Sequence, residues 1–127
     1  MKALVVDDSR SMRSIIAKLL AELGFEVHEA AGGAEALVAL RKARRVDIAL
    51  VDWNMPGMDG YQLLLALRAE PEWKDLIVMM VTTESEASQV AKALEAGASE
   101  YLMKPFDKQA LHEKLLLLGI DPGEQAA

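Results

Sequence analysis

Five short apolar runs punctuate this sequence, and a helix-type pattern follows each of them. The runs are Ala3 to Val6, Phe25 to Ala30, Asp47 to Val51, Leu76 to Val81 and Ser99 to Met103, too short for buried helices and right for strands. After the first, apolar residues fall at Met12, Ile15, Ile16, Leu19, Leu20 and Leu23, a helical stripe. Later stripes run through Ala36, Leu37 and Leu40, through Leu63, Leu64 and Leu67, through Val90, Ala91 and Leu94, and through Leu111, Leu115 and Leu118. Strict alternation of strand and helix predicts an α/β domain: a parallel sheet with helices on both faces and right-handed crossovers. Most of the runs are continuously apolar, as strands covered on both faces are. Phe25 to Ala30 instead alternates with Glu26 and His28, which places it near an edge.

The punctuation agrees. Ser9 or Ser11 can cap the first helix and Gly24 can end it. Gly32 and Gly33 break the chain, and residues 54–60 are dense in turn signals. The third helix should stop before Pro71, since a residue preceding proline avoids the helical region. Ser85 or Glu86 opens the fourth helix and Gly97 closes it. Asp107 caps the last, which Gly119 closes. One domain is expected over residues 1–119, with a small polar tail, 120–127, that frays.

Composition excludes several kinds of chemistry. The 127 residues include no cysteine, which removes disulfides, zinc-thiolate sites, iron–sulfur clusters and thiol catalysis. The net charge of −6 argues against a nucleic-acid partner. The basic group Arg41, Lys42, Arg44 and Arg45 reads as a solvated helix end. His28 and His112 have no partner at metal-ligand spacing and read as surface residues. The seven methionines read mainly as core filling. No apolar run is long enough to span a bilayer or form a signal-peptide core, so the expected setting is cytoplasmic, with no membrane partner.

Polar residues collect where the strands end. Asp7 and Asp8 follow the first run, Asp52 the third, Thr82 and Thr83 the fourth, and Lys104 the fifth. In a doubly wound sheet these ends share one rim, outside which ligands bind. Carboxylates packed on one rim repel, and hard oxygen ligands without His or Cys select Mg²⁺, Mn²⁺ or Ca²⁺. Lys104 supplies a positive charge for an anion and Thr82 a hydroxyl donor, which together make a phosphoryl-transfer site. Asp52, alone at its strand end, is the natural nucleophile, forming an acyl phosphate.

The pieces Val-Asp-Asp-Ser at 6–9, Asp-Trp-Asn-Met-Pro-Gly-Met-Asp-Gly at 52–60, Val-Thr-Thr-Glu at 81–84, Ala-Gly-Ala-Ser at 96–99 and Tyr-Leu-Met-Lys-Pro-Phe at 101–106 occur in this order. With them the chain resembles the receiver domains of bacterial response regulators, and among these the single-domain chemotaxis regulators, from Leu4 to about Leu118. The resemblance implies a flavodoxin-like (βα)5 fold with strand order 2-1-3-4-5. It implies that Asp52 is the phosphoacceptor. It implies Mg²⁺, with Mn²⁺ as a substitute, held by Asp8, Asp52 and the backbone carbonyl of Asn54, with Asp7 acting through water. Lys104 would contact the phosphoryl group, Thr82 would move to bond it, and Tyr101 would turn inward when Thr82 moves. A cis peptide bond is implied before Pro105. Asn54 and Glu84 would flank the site and favour fairly rapid loss of the phosphoryl group. Thr83, where a small alanine is expected, would modulate that rate. Trp53 would either report on the site by fluorescence or shield the sheet end.

The implied output face comprises Val90, Tyr101, Met103 and Lys114. The implied partners are a CheA-like histidine kinase as phosphodonor, the flagellar motor switch protein or another output protein, and a phosphatase. The chain would act mostly as a monomer, catalysing only its own phosphorylation and dephosphorylation. The alternatives within the family are a phosphorelay intermediate, a phosphate sink, or the receiver of a larger regulator. A phosphohydrolase often places a second Asp two residues after the nucleophile, where this chain has Asn54. A flavin binder needs a phosphate loop where Asp7 and Asp8 would repel the cofactor.

Overall fold

The computed structural model describes residues 1–43, 45–83 and 88–123. Strands and helices alternate as β1 (Lys2–Val6), α1 (Arg10–Glu22), β2 (Glu26–Ala30), α2 (Gly33–Ala43), β3 (Ile48–Asp52), α3 (Gly60–Ala69), β4 (Ile77–Thr82), α4 (Val90–Glu95), β5 (Glu100–Met103) and α5 (Lys108–Leu117). The five strands form one parallel sheet in the order β2-β1-β3-β4-β5, the arrangement implied by the sequence, with β2 at an edge. Arg44, the start of the fourth helix at Ser85 or Glu86, and Glu84 lie outside the described residues.

Strand parity divides the core. Ala3, Val5, Ile48, Leu50, Met79, Val81 and Leu102 pack under Ile16 and Leu20 of α1 and Leu111 and Leu115 of α5. Their neighbours Leu4, Val6, Ala49, Val51, Val78 and Met80 pack under Leu40 of α2, Leu63, Leu64 and Leu67 of α3, and Ala93 of α4. Successive side chains on a strand point to opposite faces, so the continuously apolar runs are buried on both sides.

The caps resolve open points. Ser9, not Ser11, caps α1: its Oγ accepts from the Met12 N–H at 3.3 Å. Asp59 and Gln62 close a reciprocal capping box on α3, and Asp107 accepts from Ala110 N at 2.8 Å on α5. The peptide bond before Pro105 is cis.

The ends of β3 and β4 and the start of the tail differ from expectation, while α3 stops before Pro71 as expected. Asp52 and Thr82 are the last residues of their strands rather than the first beyond them, because Asp52 pairs with Val81 and Thr82 with Met103. A 3-10 turn at Pro71–Trp73 follows α3; proline suits its first position, and Trp73 is buried beneath the guanidinium of Arg41. The expected frayed tail is corrected at its start. Ile120 is 3% exposed, belongs to the α1/α5 core, and donates its N–H to Leu115 O at 2.9 Å.

Candidate functional site

Among the described residues, the buried polar side chains are Asp7, Asp52 and Thr82. All three lie at the carboxyl end of the sheet. The strand ladder continues past β1 and β5 through Asp7 N to Ala30 O (3.1 Å) and Lys104 N to Thr82 O (2.6 Å). Parity then places Asp7, Asp52 and Lys104 in line with Val5, Leu50 and Leu102, on one face of the sheet. Thr82 falls on the other face, in line with Met80 and Val78.

The three meet as parity requires. Lys104 Nζ donates to Asp52 Oδ1 at 3.1 Å and to Asp7 Oδ2 at 3.3 Å. The other oxygen of Asp7 accepts from Ser9 N at 2.9 Å, and Arg13 Nη1 donates to the Asp7 carbonyl at 2.8 Å. Asp8 is exposed, and one carboxylate oxygen from each of Asp7, Asp8 and Asp52 lies within 4.8 Å of the others. Thr82 Oγ1, fully buried, has no hydrogen-bond partner among the described residues. An unsatisfied buried hydroxyl is costly and calls for a ligand or a movement to explain it.

Electrostatics follow from this packing. Burial pushes the Asp52 carboxyl up from 3.8 to about 6, opposed by the hydrogen bond and charge of Lys104 and reinforced by Asp7 and Asp8. Burial works against the Lys104 charge as well, but Asp52 and Asp7 outweigh it and raise its pKa. At neutral pH the pair is therefore carboxylate and ammonium. Between about 4 and 6 the folded chain keeps a proton on Asp52 that the unfolded chain has lost. This residue's contribution to stability thus declines as pH rises through that window. Lys104 stays charged throughout and does not alter the slope. In metal-free buffer, Asp52→Asn should match the wild type near pH 4 and exceed it by about 2 kcal/mol at pH 7. Urea unfolding of the two proteins at both pH values checks this.

Trp53, after Asp52, is 5% exposed in the α2/α3/α4 core and stacks on Tyr61 with centroids 5.6 Å apart. Lys92 Nζ lies 4.5 Å from the Tyr61 centroid. Asn54 is exposed in the β3–α3 loop and Thr83 half-buried beyond β4. Tyr101, Met103 and Lys114 line one surface groove with Phe106 and Ala110. Val90 does not line it.

Two supporting residues escaped the sequence reading. Arg13 binds the Asp7 carbonyl from α1, and nothing in its spacing marks it. Gly60 opens α3 against the Asp52 backbone, and its place after Asp59 in a turn-rich stretch was the available signal.

The family model described as response regulator receiver domain matches residues 3–116. The chain belongs to that family. This receiver domain is 47% identical over 129 residues to a chemotaxis protein CheY homolog of Campylobacter jejuni, covering 100% of this chain and 99% of the relative. It is 47% identical over 116 residues to the chemotaxis protein CheY of Pseudomonas aeruginosa, covering 91% and 93%. Among solved structures, chemotaxis protein CheY4 of Vibrio cholerae superposes with a TM-score of 0.84 at 37% identity, covering 91% of this chain and 96% of that one. Receiver domains of this kind serve two-component systems and are generally not enzymes in the ordinary sense.

The receiver's donor set suits a divalent cation. Three carboxylates converge, one open to solvent, with neither His nor Cys beside them, and Lys104 alone does not balance their charge. An all-oxygen set open on one side fits an ion that keeps several waters. No helix in the described residues is long and apolar enough to cross a membrane.

Proposed function

We propose that the chain is a phosphorylation-activated switch of a two-component system, in which Asp52 accepts a phosphoryl group from a phosphohistidine. The observation that carries this reading is the Asp52 carboxylate held 3.1 Å from Lys104, near two further carboxylates, with the orphan hydroxyl of Thr82 on the next strand. An Asp52 oxygen forms the new O–P bond while the P–N bond breaks and the imidazole leaves. Lys104 offsets charge on the phosphoryl oxygens and orients Asp52. Asp8, Asp52 and the Asn54 carbonyl would hold Mg²⁺, with Asp7 acting through water and Mn²⁺ able to substitute. When bound, the ion supplies charge neutralisation for the phosphoryl oxygens.

Thr82 then turns its hydroxyl to a phosphoryl oxygen, which satisfies the orphan donor and vacates space for Tyr101. The output face of Val90, Tyr101, Met103 and Lys114 changes its affinity for a partner. This is a population shift, so activation is no larger than the differential stabilisation of the active state. Asn54, Thr83 and Glu84 set the rate of phosphoryl loss. The chemotaxis relatives point to a CheA-like kinase, a flagellar motor switch protein as output, and a phosphatase. A cytoplasmic monomer that turns over no external substrate fits this role.

Transfer itself is the test. A kinase carrying radiolabelled phosphohistidine, mixed with the chain and Mg²⁺, should lose its label to the chain, and retention by the kinase under chelator-free conditions would contradict the reading. Metal binding has its own signature. Mg²⁺ at about 100 times its dissociation constant should stabilise the fold by about 2.7 kcal/mol, read as a raised Tm. Asp8→Asn should remove most of that rise, while an unchanged rise would take Asp8 out of the metal site.

A further inference from the structure

On the edge strand β5, Glu100 folds back on its own chain. Its Oε1 accepts from the Tyr101 N–H at 2.9 Å and from Lys114 Nζ at 3.2 Å. Lys114 belongs to α5, and its ammonium lies 4.3 Å from the centroid of the Tyr101 ring. One ammonium thus serves a carboxylate and a ring face together. The Lys114 and Glu100 side chains are 25% and 20% exposed, so water screens neither contact fully. Tyr101 stays half-buried beside the surface groove that Lys114 also lines. On β4 its partner is Met80, two residues before Thr82, so Tyr101 and Thr82 lie near one another along this edge of the sheet. Any inward turn of the ring toward Thr82 must take it from under Lys114.

We propose that Glu100 and Lys114 form a clasp that holds the Tyr101 ring at the surface and so sets the resting balance between the two states of the switch. The inference rests on the reading of Asp52 and Tyr101 given above and adds a regulatory element to it. Lys114 acts here as a positioning residue, through Tyr101. Because coupling between sites is reciprocal, an element that disfavours the inward ring also weakens the affinity of the Asp52 site for a phosphoryl group. Releasing the clasp should tighten that affinity without any change at the site.

The experiment uses the full chain with Mg²⁺ and beryllofluoride as the phosphoryl mimic, observed by NMR of carbon-labelled tyrosine rings. The chain has two tyrosines, Tyr61 and Tyr101, and Tyr61→Phe assigns the signals. Lys114→Met keeps the stem and removes the charge. It should tighten beryllofluoride binding about three- to tenfold, the range of a partly dewatered cation–π contact. It should also shift the free protein's Tyr101 signals toward their activated position. Glu100→Gln should move both readouts in the same direction by less, and serves alone if Lys114→Met does not fold. Lys114→Arg should restore wild-type behaviour, and the double variant should match Lys114→Met. Folded variants with unchanged or weakened affinity and unmoved Tyr101 signals would overturn the clasp. A wild-type chain with no Mg²⁺-dependent response to beryllofluoride would overturn the switch reading itself, and the clasp with it.

Discussion

Asp52→Asn should lower phosphoryl acceptance by more than about a thousandfold, whether the donor is a histidine kinase or a small phosphoramidate. The amide oxygen is a poor nucleophile, and an O–P bond to it would leave a cation beside the Lys104 ammonium. Shape is kept, so Lys104 retains Asp7 at 3.3 Å and the fold is undisturbed. The same change relieves a buried charge and raises metal-free stability at neutral pH. Loss of function with gain of stability is the signature of a strained reactive group rather than a structural one. Label transfer measured beside urea unfolding separates the two. A variant that accepts phosphate at the wild-type rate would remove Asp52 from the chemistry.

Gly60→Ala should cost about 3 kcal/mol or more and impair phosphoryl acceptance as well. Gly60 donates its N–H to Trp53 O at 2.9 Å as α3 begins. A Cβ there would run into the Asp52 carbonyl oxygen and stand 3.0 Å from both Trp53 Cα and Met80 Cε. Two of these are backbone atoms that yield only if the end of β3 moves, and Asp52 moves with it. Gly33 provides the contrast. A Cβ at Gly33 would stand 2.6 Å from Met58 Sδ, 2.8 Å from its Cγ and 2.9 Å from its Cβ, so Met58 must shift at its Cβ as well as its thioether, but no β-strand backbone is struck. Gly33→Ala should therefore cost about 2 kcal/mol, less than Gly60→Ala, and disturb phosphoryl acceptance less, because the end of β3 need not move. Urea midpoints for both variants check the pair, and equal costs would contradict the account.

The fold was legible because strands buried on both faces read as short apolar runs that helical spacing does not imitate. Strand-end residues were legible too, since Asp7, Asp52, Thr82 and Lys104 each interrupt or follow such a run. What lay hidden depended on register. Only the pairing of Thr82 with Met103 and the parity of the sheet show that Lys104 bridges Asp7 and Asp52, while Thr82 falls on the opposite face without a partner. Ile120 looked like part of a polar tail because its contacts come from the Leu115 carbonyl and the α1/α5 core, far from its own neighbours in composition. Nothing in the run Ser99 to Met103 marks Glu100, whose partner Lys114 is brought to it by the approach of α5. Residues fixed by their own strand were readable, and those fixed by a second element were not.

The most direct measurement is to locate the phosphoryl group. The chain is incubated with Mg²⁺ and a small phosphodonor, reduced with borohydride, which converts an acyl phosphate at Asp to homoserine, and mapped by peptide mass spectrometry. The account predicts homoserine at position 52 alone, absent when a chelator replaces Mg²⁺. Phosphate on a serine, threonine or histidine, or homoserine at Asp7 or Asp8 in place of Asp52, would contradict it.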